Sequence, residues 1–94
     1  MVVLGCDLLT RLTREVPSAH TAVALWVAVA KHSSWQGHAD VMASFPAAVF
    51  VAPTLATFNL INVGCTLTVQ IAFNSGVVIV LAANSFENTV GNGL

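Results

Sequence analysis

The stretch that decides the fold of this chain is residues 65–81, CTLTVQIAFNSGVVIVL. Apolar side chains alternate with polar or small ones over its first nine residues, which predicts a strand with one buried face. Residues 74–76, NSG, are a tight-turn signal, and the β-branched run after them predicts a returning strand. We therefore expect residues 66–73 and 76–81 to pair as an antiparallel hairpin.

The chain before this hairpin adds two strands and two helices. Residues 55–61 and the segment around Val49 and Val51 predict strands on either side of a turn. The first helix is predicted behind Asp7 as N-cap and ends at Pro17. The second helix, capped by Ser18, is predicted over residues 19–32 and is apolar nearly all round.

These elements predict an α+β domain in which two N-terminal helices pack on an antiparallel sheet of about four strands. A short helical turn is expected at residues 39–44, and residues 2–4 are a candidate additional strand. We expect one domain over residues 1–94 with a loose tail at about 84–94. The side chains predicted to form the core are Leu12, Trp26, Phe58, Leu67, Val69, Ile71 and Ile79.

Charge is scarce, and this restricts the classes of function. Only 7% of the residues are charged, the net charge is −1, and no charged residue or histidine lies between residues 41 and 86. Strong nucleic-acid binding is disfavoured, because affinity for phosphate comes from Lys and Arg. The apolar content of 56% predicts an exposed apolar patch, which indicates a protein partner or self-association.

Membrane insertion and secretion are not expected. No stretch offers the ~20 uninterrupted apolar residues that a membrane span needs, and residues 1–7 lack the basic start of a signal peptide. Cys6 and Cys65 could form one disulfide, but nothing in the sequence implies secretion, so two free thiols in a cytoplasmic protein are expected instead.

Local spacing offers no catalytic or metal site. His20, His32 and His38 are not at spacings that place two of them on one helix face, so no metal and no cofactor is expected. Two alternatives stay open for Asp40, which either pairs with His38 or caps the turn around Val41.

Several short segments follow one another in a particular order. They are Trp26, Ser34-Trp35, Ala39-Asp40-Val41, Phe45-Pro46, Phe58-Asn59-Leu60, Leu67, Val69-Gln70-Ile71, Phe73-Asn74, Gly76 and Val77-Val78. Their order and spacing resemble the HigB-type toxins of the RelE superfamily, which are ribosome-dependent messenger-RNA interferases. The resemblance implies a RelE-like α+β fold and a HigA-like antitoxin with a helix-turn-helix domain as partner. It also implies the ribosome and messenger RNA as targets.

The chain departs from the family pattern where the chemistry lies. The catalytic segment of the family falls on residues 84–90, where Ser85, Phe86, Asn88 and Thr89 are the candidate positions and the family's His and Tyr are absent. Thr66 stands in place of an Arg. Basic residues of the family are also replaced by apolar ones at or near Val2, Cys6, Met42, Leu55, Ile61 and Leu81.

The resemblance therefore implies a HigB-like scaffold whose RNA cleavage is absent or severely weakened, with no catalytic residue matched. The alternatives are a non-enzymatic protein-interaction module and a small membrane-associated protein.

Overall fold

The computed structural model of the protein describes residues 1–85. Three α-helices and five strands follow one another, with single 3-10 turns at Pro17–Ala19 and Ile61–Val63. The elements in chain order are β1 (Val2–Leu4), α1 (Cys6–Glu15), α2 (His20–His32), α3 (His38–Ser44), β2 (Val49–Ala52), β3 (Leu55–Leu60), β4 (Cys65–Ala72) and β5 (Val77–Ser85).

The sheet is mixed and has five strands in the order β1-β5-β4-β3-β2. β1 runs parallel to β5, with Val3 opposite Val78, and the other three pairings are antiparallel. The α+β class is confirmed, whereas the expected counts of two helices and about four antiparallel strands are wrong. The candidate strand at residues 2–4 is present as β1, and the helical turn expected at residues 39–44 is present as α3. The parallel pairing of β1 was not predicted, because its partner lies more than seventy positions away in the sequence.

The expected hairpin is confirmed. β4 and β5 pair antiparallel from Ala72 opposite Val77 to Cys65 opposite Ser85. The turn between them ends at Gly76, whose φ of 69° is favourable only for a residue without a Cβ. Strand β5 continues through Asn84 and Ser85, the first two residues of the expected loose tail. Residues 86–94 lie outside the described residues, and a single domain over 1–94 stays a prediction.

Helix starts differ from the expected ones. Gly5, not Asp7, is the N-cap of α1, and Asp7 lies in the first helical turn. Pro17 opens a 3-10 turn between the helices, and α2 begins at His20 without a side-chain cap from Ser18. Asp7 still contributes, because a carboxylate in the first turn interacts favourably with the helix dipole.

The helices cover one face of the sheet and enclose the core. Leu12, Trp26, Phe58, Leu67, Val69 and Ile71 are buried as predicted. The predicted burial of Ile79 is wrong. This side chain is only half-buried and lies on the other face of the sheet, whereas Val78 and Val80 are buried. None of the helices in residues 1–85 combines the length and the apolar character needed to cross a bilayer.

Truncation of Ile71 tests the face assignment of β4. Ile71 is fully buried beside Val78, so Ile71→Ala is expected to lower the free energy of unfolding by ~2–5 kcal/mol. The matched control is Thr68→Ala on the opposite face of the same strand, for which a change within ~0.5 kcal/mol is expected. Urea denaturation measures both. A loss below ~1 kcal/mol for Ile71→Ala would show that the strand is turned over.

Gly5 joins β1 to α1 at a point of close backbone approach. Its φ is 81°, and a Cβ built on it would lie 2.5 Å from the carbonyl oxygen of Val80. Gly5→Ala is therefore expected to lower the free energy of unfolding for two reasons. A residue with a Cβ is disfavoured in a left-handed backbone by about 1–2 kcal/mol, and the overlap with Val80 costs about 1–3 kcal/mol more. Gly76→Ala is the control, because φ is 69° there and nothing lies within 4 Å. Thermal and urea unfolding should show that Gly5→Ala is clearly less stable than Gly76→Ala. Equal losses of stability would contradict the close approach of Gly5 to the Val80 carbonyl oxygen.

Candidate functional site

The face of the sheet opposite the helices, which we call the open face, is built by the alternation of β1, β3, β4 and β5. Strand register and burial place on it side chains that are half-buried or exposed. They are Val2, Leu4, Leu55, Thr57, Asn59, Thr66, Thr68, Gln70, Val77, Ile79, Leu81, Ala82 and Asn84.

A β-bulge in β5 adds one of these side chains. Thr68 pairs with Ala82 while the next residue, Val69, pairs with Val80, so Leu81 is the extra residue. A bulge sets two residues opposite one, and Leu81 is 52% exposed. The open face is therefore wider and more apolar at this point than a regular strand would make it.

Polar groups of the open face bond to one another. Asn59, Thr66 and Asn84 lie in one row across three strands, and the Thr66 hydroxyl donates to Asn59 Oδ1 at 3.2 Å. Gln70 Nε2 donates to Thr54 Oγ1. These amides and hydroxyls are neutral, so they supply hydrogen bonds but no charge.

No acidic, basic or histidine side chain lies among the open-face residues. The cations of the chain stand elsewhere, with Arg11 and Arg14 on α1 and Lys31 at the end of α2. The open face can neither exchange a proton near neutral pH nor neutralise a phosphate, because both tasks require titratable or cationic side chains.

Four of the positions at which the sequence departs from the HigB pattern meet on this face. Val2 on β1, Leu55 on β3, Thr66 on β4 and Leu81 on β5 are spread over four of the five strands. Cys6 and Met42 lie on helices instead. Ile61 lies in the 3-10 turn after β3. Four of the seven positions at which the resemblance implies a replaced basic residue therefore share one surface.

The expected catalytic segment begins at the end of β5. Ser85 is the last residue of the strand, lies opposite Cys65 and is buried at 8% exposure. Phe86, Asn88 and Thr89 lie outside the described residues, so their roles stay predictions. Asn84, one position earlier, faces outward beside Thr66. The segment therefore starts in the row that contains Thr66, where the resemblance implies an arginine.

The two alternatives for Asp40 are replaced by a third arrangement. Its Oδ2 accepts the backbone N–H of Gln36 at 2.9 Å, which fixes the segment entering α3. His38 instead stacks on Phe50 with ring centroids 3.7 Å apart, and its Nε2 donates to the carbonyl of Pro53 at 2.6 Å. These contacts hold α3 against β2 and do not form a catalytic pair.

A groove of about 510 Å³ lies between α1 and α2. Sequence reasoning did not locate it, although the all-round apolar character of α2 was its signal. Within residues 1–85, no group of three or more His, Cys, Asp or Glu side chains is placed to hold a metal ion, and no disulfide joins Cys6 to Cys65.

Comparison with known protein families gives a match that covers most of the chain. The model of the HigB toxin family, described as the RelE-like toxic component of a toxin–antitoxin system, matches residues 19–88. The chain belongs to the HigB toxin family. The match runs from α2 through β5 and therefore includes every strand of the open face except β1. A comparison with curated proteins gives no match.

Proposed function

We propose that this HigB-family chain keeps the toxin scaffold and its antitoxin-binding role but has lost ribosome-dependent messenger-RNA cleavage, or keeps it only severely weakened. The observation that carries the proposal is the uncharged open face, on which Val2, Leu55, Thr66 and Leu81 stand at or near positions that are basic in the family pattern.

The chemistry of RNA cleavage explains why these replacements matter. A 2′-hydroxyl attacks the adjacent phosphate in line, which requires a proton acceptor, a proton donor and cations near the developing negative charge. Neutral amides and hydroxyls are poor at all three tasks. The loss of one well-placed donor in a comparable electrostatic site costs about 3–4 kcal/mol of transition-state stabilisation, so several losses together remove most of the acceleration.

Substrate binding is weakened by the same replacements. Phosphate affinity grows with the number of Lys and Arg side chains that neutralise the backbone, and the open face has none. Arg11, Arg14 and Lys31 lie on helices that pack against the opposite side of the sheet. They are too few and wrongly placed to hold RNA against the open face.

Membership of a toxin–antitoxin family implies an antitoxin partner, and the proposed partner is HigA-like. Apolar side chains exposed on the scaffold, such as Leu25 and Met42, favour protein contacts over RNA contacts. A scaffold that binds the antitoxin without cleaving RNA would act in the cytoplasm as a non-enzymatic interaction module. That second candidate function rests on the same uncharged face.

A ribosome-dependent cleavage assay tests the proposal. The purified chain is incubated with translating ribosomes and a reporter messenger RNA, and the cleavage products are mapped by primer extension. An active HigB toxin is the positive control, and we expect this chain to give no products above background. Cleavage at a rate comparable to the control would overturn the proposal.

A further inference from the structure

The groove of about 510 Å³ between α1 and α2 has an apolar floor. Leu9 of α1 and Val23 and Val27 of α2 form much of the floor, and Ala24 and Ala28 leave room for a neighbouring backbone. Packed helices have axes 8–10 Å apart, and the distance depends on the side chains between them. A helix from another molecule could therefore lie in this groove and pack against both α1 and α2.

The ends of the groove carry side chains whose nitrogens can donate hydrogen bonds to carboxylates. His20 lies at the start of α2, Lys31 and His32 lie at its end, and no Asp or Glu is among the lining residues. His20 and Lys31 are eleven positions apart on α2, a distance of about 16 Å along the axis. The pattern is complementary to an apolar stripe that carries acidic residues about three turns apart.

A second copy of this chain does not fit that description. Helix α2 contains no acidic residue, and Asp40 of α3 is bonded to the backbone of Gln36. On α1, Asp7 and Glu15 are separated by Arg11, and the apolar side of that helix is buried in its own core. None of the three helices in residues 1–85 offers an exposed apolar stripe flanked by acids.

RNA fits no better. An apolar floor provides nothing for a phosphate backbone, and Lys31 is the one permanently charged side chain among the lining residues of this groove.

We propose that the α1–α2 groove binds an amphipathic helix of a partner protein, with apolar residues on the floor and acidic residues at both ends. The partner is the antitoxin if the proposed function holds, and to that extent the inference rests on it. The groove is separated from the open face by the sheet, so antitoxin binding here would not need Val2, Thr66 or Leu81 of that face. Of the positions with a replaced basic residue, Cys6 is the one among the residues that line the groove.

The probe is a labelled 18-residue helical peptide with a leucine stripe and glutamates eleven positions apart. Two reference peptides carry lysine in place of both glutamates or a scrambled order of the same residues. Fluorescence anisotropy at low salt is expected to give affinity at least tenfold higher for the glutamate peptide than for either reference. Equal affinity for all three peptides would overturn the proposal.

Matched variants locate the contact. Ala24→Glu places a charge in the middle of the groove and is expected to weaken peptide binding at least tenfold, whereas Thr21→Glu, also exposed and on the same helix, is expected to change it less than twofold. Lys31→Gln is expected to weaken peptide binding about threefold. Arg11→Gln, which removes a positive charge from α1 outside the groove, is expected to leave peptide binding unchanged. Circular dichroism confirms that each variant is folded. Equal effects within either pair would refute the groove as the site.

Two further measurements separate this inference from the proposed function. Binding of a purified HigA-type antitoxin that survives Ala24→Glu would refute the groove assignment and leave the proposed function intact. Peptide binding without any antitoxin binding would support the groove and refute the antitoxin partner. Sedimentation that shows dimers of the unmodified chain and monomers of Ala24→Glu would assign the groove to a second copy and overturn the proposal.

Discussion

Cells that express the unmodified chain are expected to grow normally, whereas cells that express the double variant Thr66→Arg, Phe86→His are expected to slow down. Thr66 lies on the open face in the row of Asn59 and Asn84, where an arginine would add a positive charge to an uncharged surface. Histidine at position 86 would restore a group that exchanges protons near neutral pH. In working sites, such electrostatic and acid–base groups contribute about 10²–10³-fold and 10²–10⁴-fold to the rate.

The expected gain in ribosome-dependent cleavage is at least about 10-fold over the unmodified chain, which is less than either group contributes in a complete site. Each single variant is expected to gain little, because catalytic groups that act together are strongly non-additive. The matched control is Thr68→Arg with Phe86→His, which adds the same charges in the next row of β4. Equal rescue by both double variants would mean that general basicity rather than position restores activity.

Robust cleavage by the unmodified chain would contradict the proposed loss of activity. Glu87, Asn88 and Ser85 would then be the groups to replace next, because they are the polar residues nearest in sequence to Phe86. Growth arrest without cleavage would indicate a different mode of toxicity and would also count against the proposed function.

The central strand was predictable because its pattern is strict. Alternation in β4 requires Leu67, Val69 and Ile71 to share a face, and a register slip of one residue would expose all three. The same reasoning failed at Ile79, because residues 77–81 are all apolar and carry no alternation. In that run, pairing with β4 determines which side chains face the core. Val78 and Val80 lie opposite Ile71 and Val69 on the buried side.

The candidate site was predictable only in part. The positions of the missing basic residues came from the resemblance to HigB toxins, but their convergence on one face depends on pairing between distant strands. Val2 joins Leu81 and Thr66 only because β1 adds to the sheet beside β5. The bulge that turns Leu81 outward has no signal in a continuous apolar run. The α1–α2 groove depends on how two helices pack, which periodicity within each helix does not specify.

Trp26 is the side chain whose removal is expected to destabilise the fold most. It is 1% exposed on α2 and contacts two aromatic rings, Phe58 at 5.3 Å and Phe45 at 6.4 Å between centroids. Those two rings also meet edge to face at 5.2 Å, so the indole occupies the centre of the contact between α2, β3 and the segment after α3. Trp26→Ala would leave a cavity there and is expected to cost ~3–5 kcal/mol of unfolding free energy.

Trp26→Phe separates the contribution of packing from that of the indole N–H. Among the described residues, Trp26 Nε1 has no hydrogen-bond acceptor, and a buried unpaired donor costs about 1–3 kcal/mol. Phenylalanine loses ring volume but removes that donor, so we expect Trp26→Phe to lie within about 1 kcal/mol of the unmodified chain. Leu25→Ala, on the neighbouring exposed position, is the control and should change stability by less than ~0.5 kcal/mol. Urea denaturation gives all three values, and a Trp26→Phe loss as large as that of Trp26→Ala would show that the indole N–H is satisfied and contributes to stability.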